Sequence, residues 1–118
     1  MLIKALKSKL HRATLTDAQI DYPGSVAIDS ALLESAGIMP YEVVLIADVT
    51  NGERLETYVV PAEPNSGKVI IMGAAARVMK KGDIVIIMNF ALYEPKELKG
   101  HKPRVLIMDE KNRIKATL

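Results

Sequence analysis

Along the chain Val, Ile and Leu fall in short runs, broken about every 8 to 12 residues by turn formers, the spacing of a compact β barrel or sandwich. Two of these runs, residues 43–46 and 55–60, flank Asn51-Gly52. That dipeptide favours positive φ at both central turn positions, so the runs are expected to pair as an antiparallel hairpin. Further strands are predicted over residues 68–72, 84–89 and 104–108, with turns at 80–83 and 109–112. One helix is expected, over residues 30–36. Asp29 can cap its first amides, Gly37 suits a left-handed stop, and Pro40 prevents continuation. Residues 93–103, with two prolines and several charges, read as an exposed loop, and 113–118 as a disordered tail.

Length and composition narrow the class. A chain of 118 residues makes one domain and buries about two-thirds of its unfolded surface, enough for a core without staples. At 49% hydrophobic and 25% charged it has the make-up of a soluble globular protein, with no run of the ~18 apolar residues that a membrane span needs. Lysines interrupt the apolar residues of the N-terminus too often for a signal peptide, so a cytoplasmic location is expected. The absence of cysteine excludes disulfides, thiol nucleophiles and thiolate metal sites. The net charge of +2 is spread along the chain, and there are one Phe, four Tyr and no Trp. That balance does not favour nucleic-acid binding, which uses clustered cations and stacking aromatics, but it leaves cations for a small anionic substrate.

Candidate chemistry is sparse. His11 and His101 have no partner at metal-ligand spacing, so no metal site is expected. Gly73-Ala74-Ala75-Ala76 offers open backbone amides or, equally, tight packing of small residues. Period-two alternation places Lys9 and His11 on one face of an extended segment, and Glu56 and Tyr58 on one face of another, with Thr57 opposite. In DYPGSVAID, residues 21–29, Ser25 read locally is an ordinary turn residue.

Taken in order, KLHRATLTDAQIDYPGSVAID, AGI, VTNGERLETYVV, GAAARV and KKGDIVII resemble the pyruvoyl-dependent aspartate 1-decarboxylase family over roughly residues 1 to 95. The most specific elements are Tyr22-x-Gly24-Ser25 and Thr57-Tyr58 just past the Asn-Gly turn. One position departs from the pattern: Met72 stands where the family often carries Asn.

The resemblance implies a six-stranded double-psi β-barrel with short helices, assembled as a homotetramer with sites at subunit contacts. It implies that Ser25 Oγ attacks the carbonyl carbon of Gly24, where no Cβ blocks approach, with Pro23 restricting the turn and the Thr57 hydroxyl stabilising the oxyanion. The resulting ester eliminates to dehydroalanine, which hydrates and releases ammonia. Residues 1–24 and 25–118 become separate chains, and Ser25 becomes a pyruvoyl group, the only cofactor expected. That group forms the Schiff base with L-aspartate and serves as electron sink for loss of carbon dioxide. Tyr58 is implied as the acid that protonates the resulting carbanion, and β-alanine, a precursor of pantothenate and coenzyme A, is the product. Lys9 and Arg54 are assigned to the substrate carboxylates, Arg54 with the firmer, two-bond grip on the side-chain carboxylate. His11 and Tyr22 are implied to line the pocket, and the Gly73, Ala74 and Ala75 backbone to hydrogen-bond the substrate. A maturation factor is compatible with such a protein. The alternatives are a non-enzymatic small barrel that binds RNA through Lys7, Lys9, Arg12, Lys80 and Lys81, and a barrel of the same fold that has lost activity, with Met72 the first suspect.

Overall fold

The computed structural model describes residues Met1–Leu118. It is mainly β, with strands β1 (Ile3–Thr14), β2 (Asp17–Gln19), β3 (Ser25–Asp29), β4 (Val43–Asp48), β5 (Arg54–Ala62), β6 (Val69–Met72), β7 (Ile84–Tyr93), β8 (Arg104–Met108) and β9 (Ile114–Thr117). Helix α1 (Ser30–Ala36), a 3-10 turn (Gly73–Arg77) and the four-residue α2 (Pro95–Leu98) complete it.

The strands form one mixed sheet in the order β2-β6-β3-β5-β4-β7-β1-β8-β9. Its first strand, β2, and its seventh, β1, belong to one stretch of chain interrupted only at Leu15 and Thr16. At that interruption the Leu15 amide donates to the Asp83 carbonyl (2.9 Å), and the Thr16 amide donates to the Val69 carbonyl (2.8 Å). The order therefore returns to the segment on which it began. Six segments (β1/β2, β6, β3, β5, β4 and β7) make a ring, and β8 and β9 extend it outside. β1 makes the crossing by bending. Its register with β7 shifts between Leu6 and Ser8 and again between Leu10 and Ala13, where Arg12 takes φ 64°.

The core fills this ring. Leu10, Val26, Ile28, Val44, Ile46, Val59, Val69, Ile71, Val85 and Ile87 are all fully buried and come from all six segments, two apart wherever a strand supplies a pair. This is the alternation expected of strands whose inner faces meet, and each such side chain contributes about 1.5–3 kcal/mol. Leu32, Leu33 and Ala36 of α1 join the same cluster.

The helix forms as its sequence predicts. The Asp29 carboxylate accepts from the Ala31 amide at 2.9 Å, and Gly37 ends the helix at φ 70°. Asp29 also accepts from the Asn65 and Gly67 amides at 2.9 Å each, which ties the loop after β5 to the helix start. The hairpin of β4 and β5 forms with Val43 opposite Tyr58, but its turn differs from expectation. Only Gly52 has positive φ (78°), because the Asp48 side chain accepts from the Thr50 amide (2.8 Å) and the Gly52 amide donates to the Asp48 carbonyl (2.8 Å). A longer loop wound on Asp48 thus replaces the two-residue turn.

Two other expectations are corrected. The loop over 93–103 contains α2, nucleated by a capping box in which the Glu94 amide donates to Glu97 Oε1 at 2.7 Å. The tail over 113–118, expected to be disordered, contains β9, which pairs antiparallel with β8.

Candidate active site

β3 starts at Ser25 and lies between β5, parallel to it, and β6, antiparallel to it. The first pair with β5 is Val26 opposite Val59, so the chain just before it runs beside Thr57 and Tyr58. On the other side Ser25 is paired with Met72, the last residue of β6. Two ladders thus bring three separate parts of the sequence to one strand end.

A cavity of about 500 Å³ opens there, lined by Gly24, Leu55, Glu56, Thr57, Tyr58, Met72, Ala74, Ala75 and Val78. Ser25 itself is buried, and its hydroxyl donates a long hydrogen bond, 3.4 Å, to the Pro23 carbonyl. Gly73 fixes the Gly24 turn from below. It has φ 82°, and a Cβ built on it would lie 2.6 Å from Gly24 Cα, 2.8 Å from Gly24 N and 3.0 Å from the Tyr22 carbonyl oxygen. Only glycine allows the two backbones this close. The small residues of Gly73-Ala74-Ala75 thus serve both readings open in the sequence, because Gly73 packs on Gly24 while Ala74 and Ala75 face the cavity.

Among the residues singled out from sequence, Gly24, Thr57, Tyr58, Ala74 and Ala75 line this cavity, and Ser25 and Gly73 adjoin Gly24. Tyr22 is 57% exposed beside the same turn. Arg54 begins β5, exposed and paired with Ala47. Lys9 and His11 are elsewhere in this chain: they lie on β1, paired with β7 and β8, which are not neighbours of β3. They share one face there, on either side of fully buried Leu10. The His11 imidazole is pushed toward the neutral form, first by burial and then by the Lys9 and Arg12 charges, and its buried Nδ1 has no hydrogen-bond partner.

Sequence reasoning did not pick out Leu55, Glu56 or Val78 as part of the cavity wall. For Glu56 the signal was present, since alternation puts it on the face of Tyr58; Val78 carries none, because it follows the 3-10 turn. Met72 lines the wall opposite Ser25 and makes no side-chain cap to the turn that follows it. The wall is therefore apolar where an Asn side chain would offer an amide. No group of three or more His, Cys, Asp or Glu is placed to hold a metal ion.

The arrangement suits chemistry on the chain itself: a glycine carbonyl followed by a buried hydroxyl, with a second hydroxyl and a phenol facing the same cavity. Comparison with known proteins agrees in kind. The model of the family described as aspartate decarboxylase matches residues 1–115. A protein of Thermosipho africanus named aspartate 1-decarboxylase is 56% identical over 109 residues, covering 92% of this chain and 89% of its own. One of the same name from Lactiplantibacillus plantarum is 52% identical over 114 residues, covering 97% and 88%. Another, from Listeria monocytogenes, is 46% identical over 113 residues, covering 96% and 89%. Among solved structures, a rationally designed protein superposes with a TM-score of 0.49 at 19% identity, covering 75% of this chain and 98% of its own.

Proposed function

Because the chain belongs to the aspartate decarboxylase family, we propose that it converts L-aspartate to β-alanine and carbon dioxide after cutting itself between Gly24 and Ser25. The observation that carries this reading is the meeting of Gly24, Thr57 and Tyr58 in one cavity, with Ser25 next in the chain.

Position 25 fits a pyruvoyl group. Its side chain is buried, its peptide neighbour Gly24 opens on the cavity, and two ladders hold the strand that follows. In the self-cleavage, Ser25 Oγ forms a bond to the Gly24 carbonyl carbon, the Gly24–Ser25 C–N bond breaks, and the freed amine takes the hydroxyl proton. Thr57 donates to the oxygen on which charge develops. Elimination then releases the Gly24 carboxylate, and hydrolysis with loss of ammonia leaves the pyruvoyl group on the chain of residues 25–118. The attack is intramolecular, so positioning replaces much of the cost of an encounter; groups held in line reach effective molarities of ~10⁵ M or more.

The pyruvoyl group supplies a carbonyl that engages the substrate amine and accepts electrons as carbon dioxide leaves. The protein's own side chains do the rest. Arg54 and Lys9 bind the two carboxylates of L-aspartate, Arg54 with two parallel hydrogen bonds to the side-chain carboxylate. Tyr58 delivers the proton to carbon. The amides of Gly73, Ala74 and Ala75 orient the substrate against the apolar wall at Met72, with Tyr22 at the mouth.

Lys9 and His11 reach that substrate from a second copy, in a homotetramer whose sites lie between subunits. Two observations support this: β1 is remote from the cavity in its own chain, and Tyr41 (74% exposed) and Val43 (56%) form an uncovered apolar face around Tyr58. Tyr41 and Tyr58 already pack together there, with ring centroids 6.3 Å apart. The role that fits such an enzyme is cytoplasmic supply of β-alanine for pantothenate and coenzyme A.

Intact mass under denaturing conditions tests the proposal. Cleavage yields chains of 24 and 94 residues (118 minus 24), the larger blocked at its N-terminus, in a preparation that releases β-alanine and carbon dioxide from L-aspartate. A single chain after prolonged incubation, with no β-alanine formed, overturns it.

A further inference from the structure

The connection from β7 to β8 takes no part in the site described above, yet it closes a second, more strongly cationic recess. A cavity of about 210 Å³ is lined by Lys7, Ser8, Ala36, Gly37, His101, Lys102 and Arg104, so no carboxylate is in its wall. We propose that this recess binds the phosphate group of a small molecule.

Carbonyls at the end of α1 would by themselves repel an anion. Those nearest the recess are already engaged. Ala36 O accepts from the buried Ser8 hydroxyl (2.5 Å), and Ser35 O accepts from Arg104 Nη1 (3.0 Å). Leu33 O and Glu34 O are taken by the amides of Ile38 (2.9 Å) and Gly37 (3.1 Å). The end of the helix is thereby covered with donors.

The charges are uneven in the same sense. Lys7 is matched by Glu42, at 2.8 and 3.0 Å, but Lys102 and Arg104 form no ion pair. Arg104 spends one bond on Ser35 and retains the rest of its five N–H groups, the planar fork that suits a phosphate. His101 is held in place from two sides. Its Nε2–H donates to the Leu6 carbonyl at 2.8 Å, and its ring lies 4.5 Å from that of Tyr93, so the ring forms a fixed wall of the recess. An arginine fork and a lysine around so small a volume, with no carboxylate in the wall, suit a compact anion such as phosphate. Ser8 and Lys9 are consecutive on β1, so an occupant bears on the strand that carries Lys9.

The test is calorimetric titration of the full protein with inorganic phosphate and, separately, with glycerol 3-phosphate, each at constant ionic strength. Saturable binding is expected at one site per chain. It should be about tenfold weaker in Arg104→Gln, which loses a charged hydrogen bond, and about threefold weaker in Lys102→Gln, which leaves the helix end untouched. Tighter binding of glycerol 3-phosphate assigns the site to a phosphate ester, and tighter binding of inorganic phosphate assigns it to the free ion. The proposal is overturned by an absence of saturable heat, by equal affinity in both variants and the parent, or by displacement of phosphate by L-aspartate. The last result would place the anion in the Ser25 cavity instead.

Discussion

Replacing Gly73 by alanine tests whether the position of the Gly24 turn controls self-cleavage. The added Cβ would meet Gly24 Cα at 2.6 Å, whereas ordinary contact begins at 3.4 Å, so the two backbones must separate by about 0.8 Å (3.4 minus 2.6). The φ of 82° costs an L-residue about 1–2 kcal/mol, and the overpacking costs about 1–3 more. The sum, about 2–5 kcal/mol, is large against the ~5–15 kcal/mol that holds a domain together. A displacement near 1 Å at a reacting centre costs on the order of 100-fold in rate. Two measurements separate these effects. Denaturation is compared in a Ser25→Ala background, where neither protein is cut, and the half-time of cleavage is followed by intact mass in the Ser25 background. Slowing of about 100-fold together with the stated loss of stability is the expected result. Cleavage within twofold of the parent, in a protein destabilised by that amount, would refute the claim that Gly73 sets the turn.

Side chains in the cavity should divide by stage. Ser25→Ala abolishes cleavage and decarboxylation together; Thr57→Val slows cleavage, read by intact mass; Tyr58→Phe is cut normally but turns over slowly, and normal turnover there would require another acid. Asn112→Ala should cost about 2–5 kcal/mol by denaturant titration. Its buried amide exchanges 2.7 and 2.8 Å bonds with the Thr14 backbone and donates at 2.8 Å to the Gly67 carbonyl. A pH series on Asp48→Asn examines the buried carboxylate at the end of β4. Burial, then the neighbouring Asp83, raise the Asp48 pKa above its ordinary 3.8, so the folded state holds this proton more tightly than the unfolded chain. Its contribution is most favourable below 3.8 and is lost as pH rises through the raised value. Asn, which can still accept from the Thr50 amide, should therefore flatten the melting temperature against pH across that window, and an unchanged slope would count against a raised Asp48 pKa.

Much of the fold was legible because its signals are local. Alternating Val and Ile mark the inner faces of β4 and β7, and Asp29 with Gly37 delimits α1, each through chemistry within a few residues. The missed features depend on distant contacts. β9 is exposed along its whole length, and its hydrogen-bond partner β8 lies in a different run of sequence. The long loop at Asn51-Gly52 arises because Asp48 offers a competing acceptor. Nothing near Leu15 announces that β1 will leave β7 and cross to β6. The site was legible in a different way. The resemblance named the residues, but only the pairing of β3 with β5 and β6 explains how positions 24, 57 and 73 meet, and neither source places Lys9 beside them in one chain.

The place of Ser25 in the sheet also explains why a cut there is tolerable. Gly24 precedes the strand, so breaking its bond to Ser25 interrupts no ladder. Beyond it, Val26, Ala27 and Ile28 are paired on both sides, with Val59, Val60 and Pro61 of β5 and with Ile71, Ile70 and Val69 of β6. Val26 and Ile28 are fully buried as well. A new N-terminus at position 25 would thus be anchored by two strands and the core from its second residue onward, and its conformational entropy would rise little on the proposed cleavage. The preceding chain is held independently, β1 by β7 and β8, and β2 by β6. In the intact chain its end at Gly24 packs closely against Gly73. A cut at the proposed site would thereby free the turn alone, because Thr57, Tyr58 and Met72 lie on strands whose pairing does not pass through Gly24.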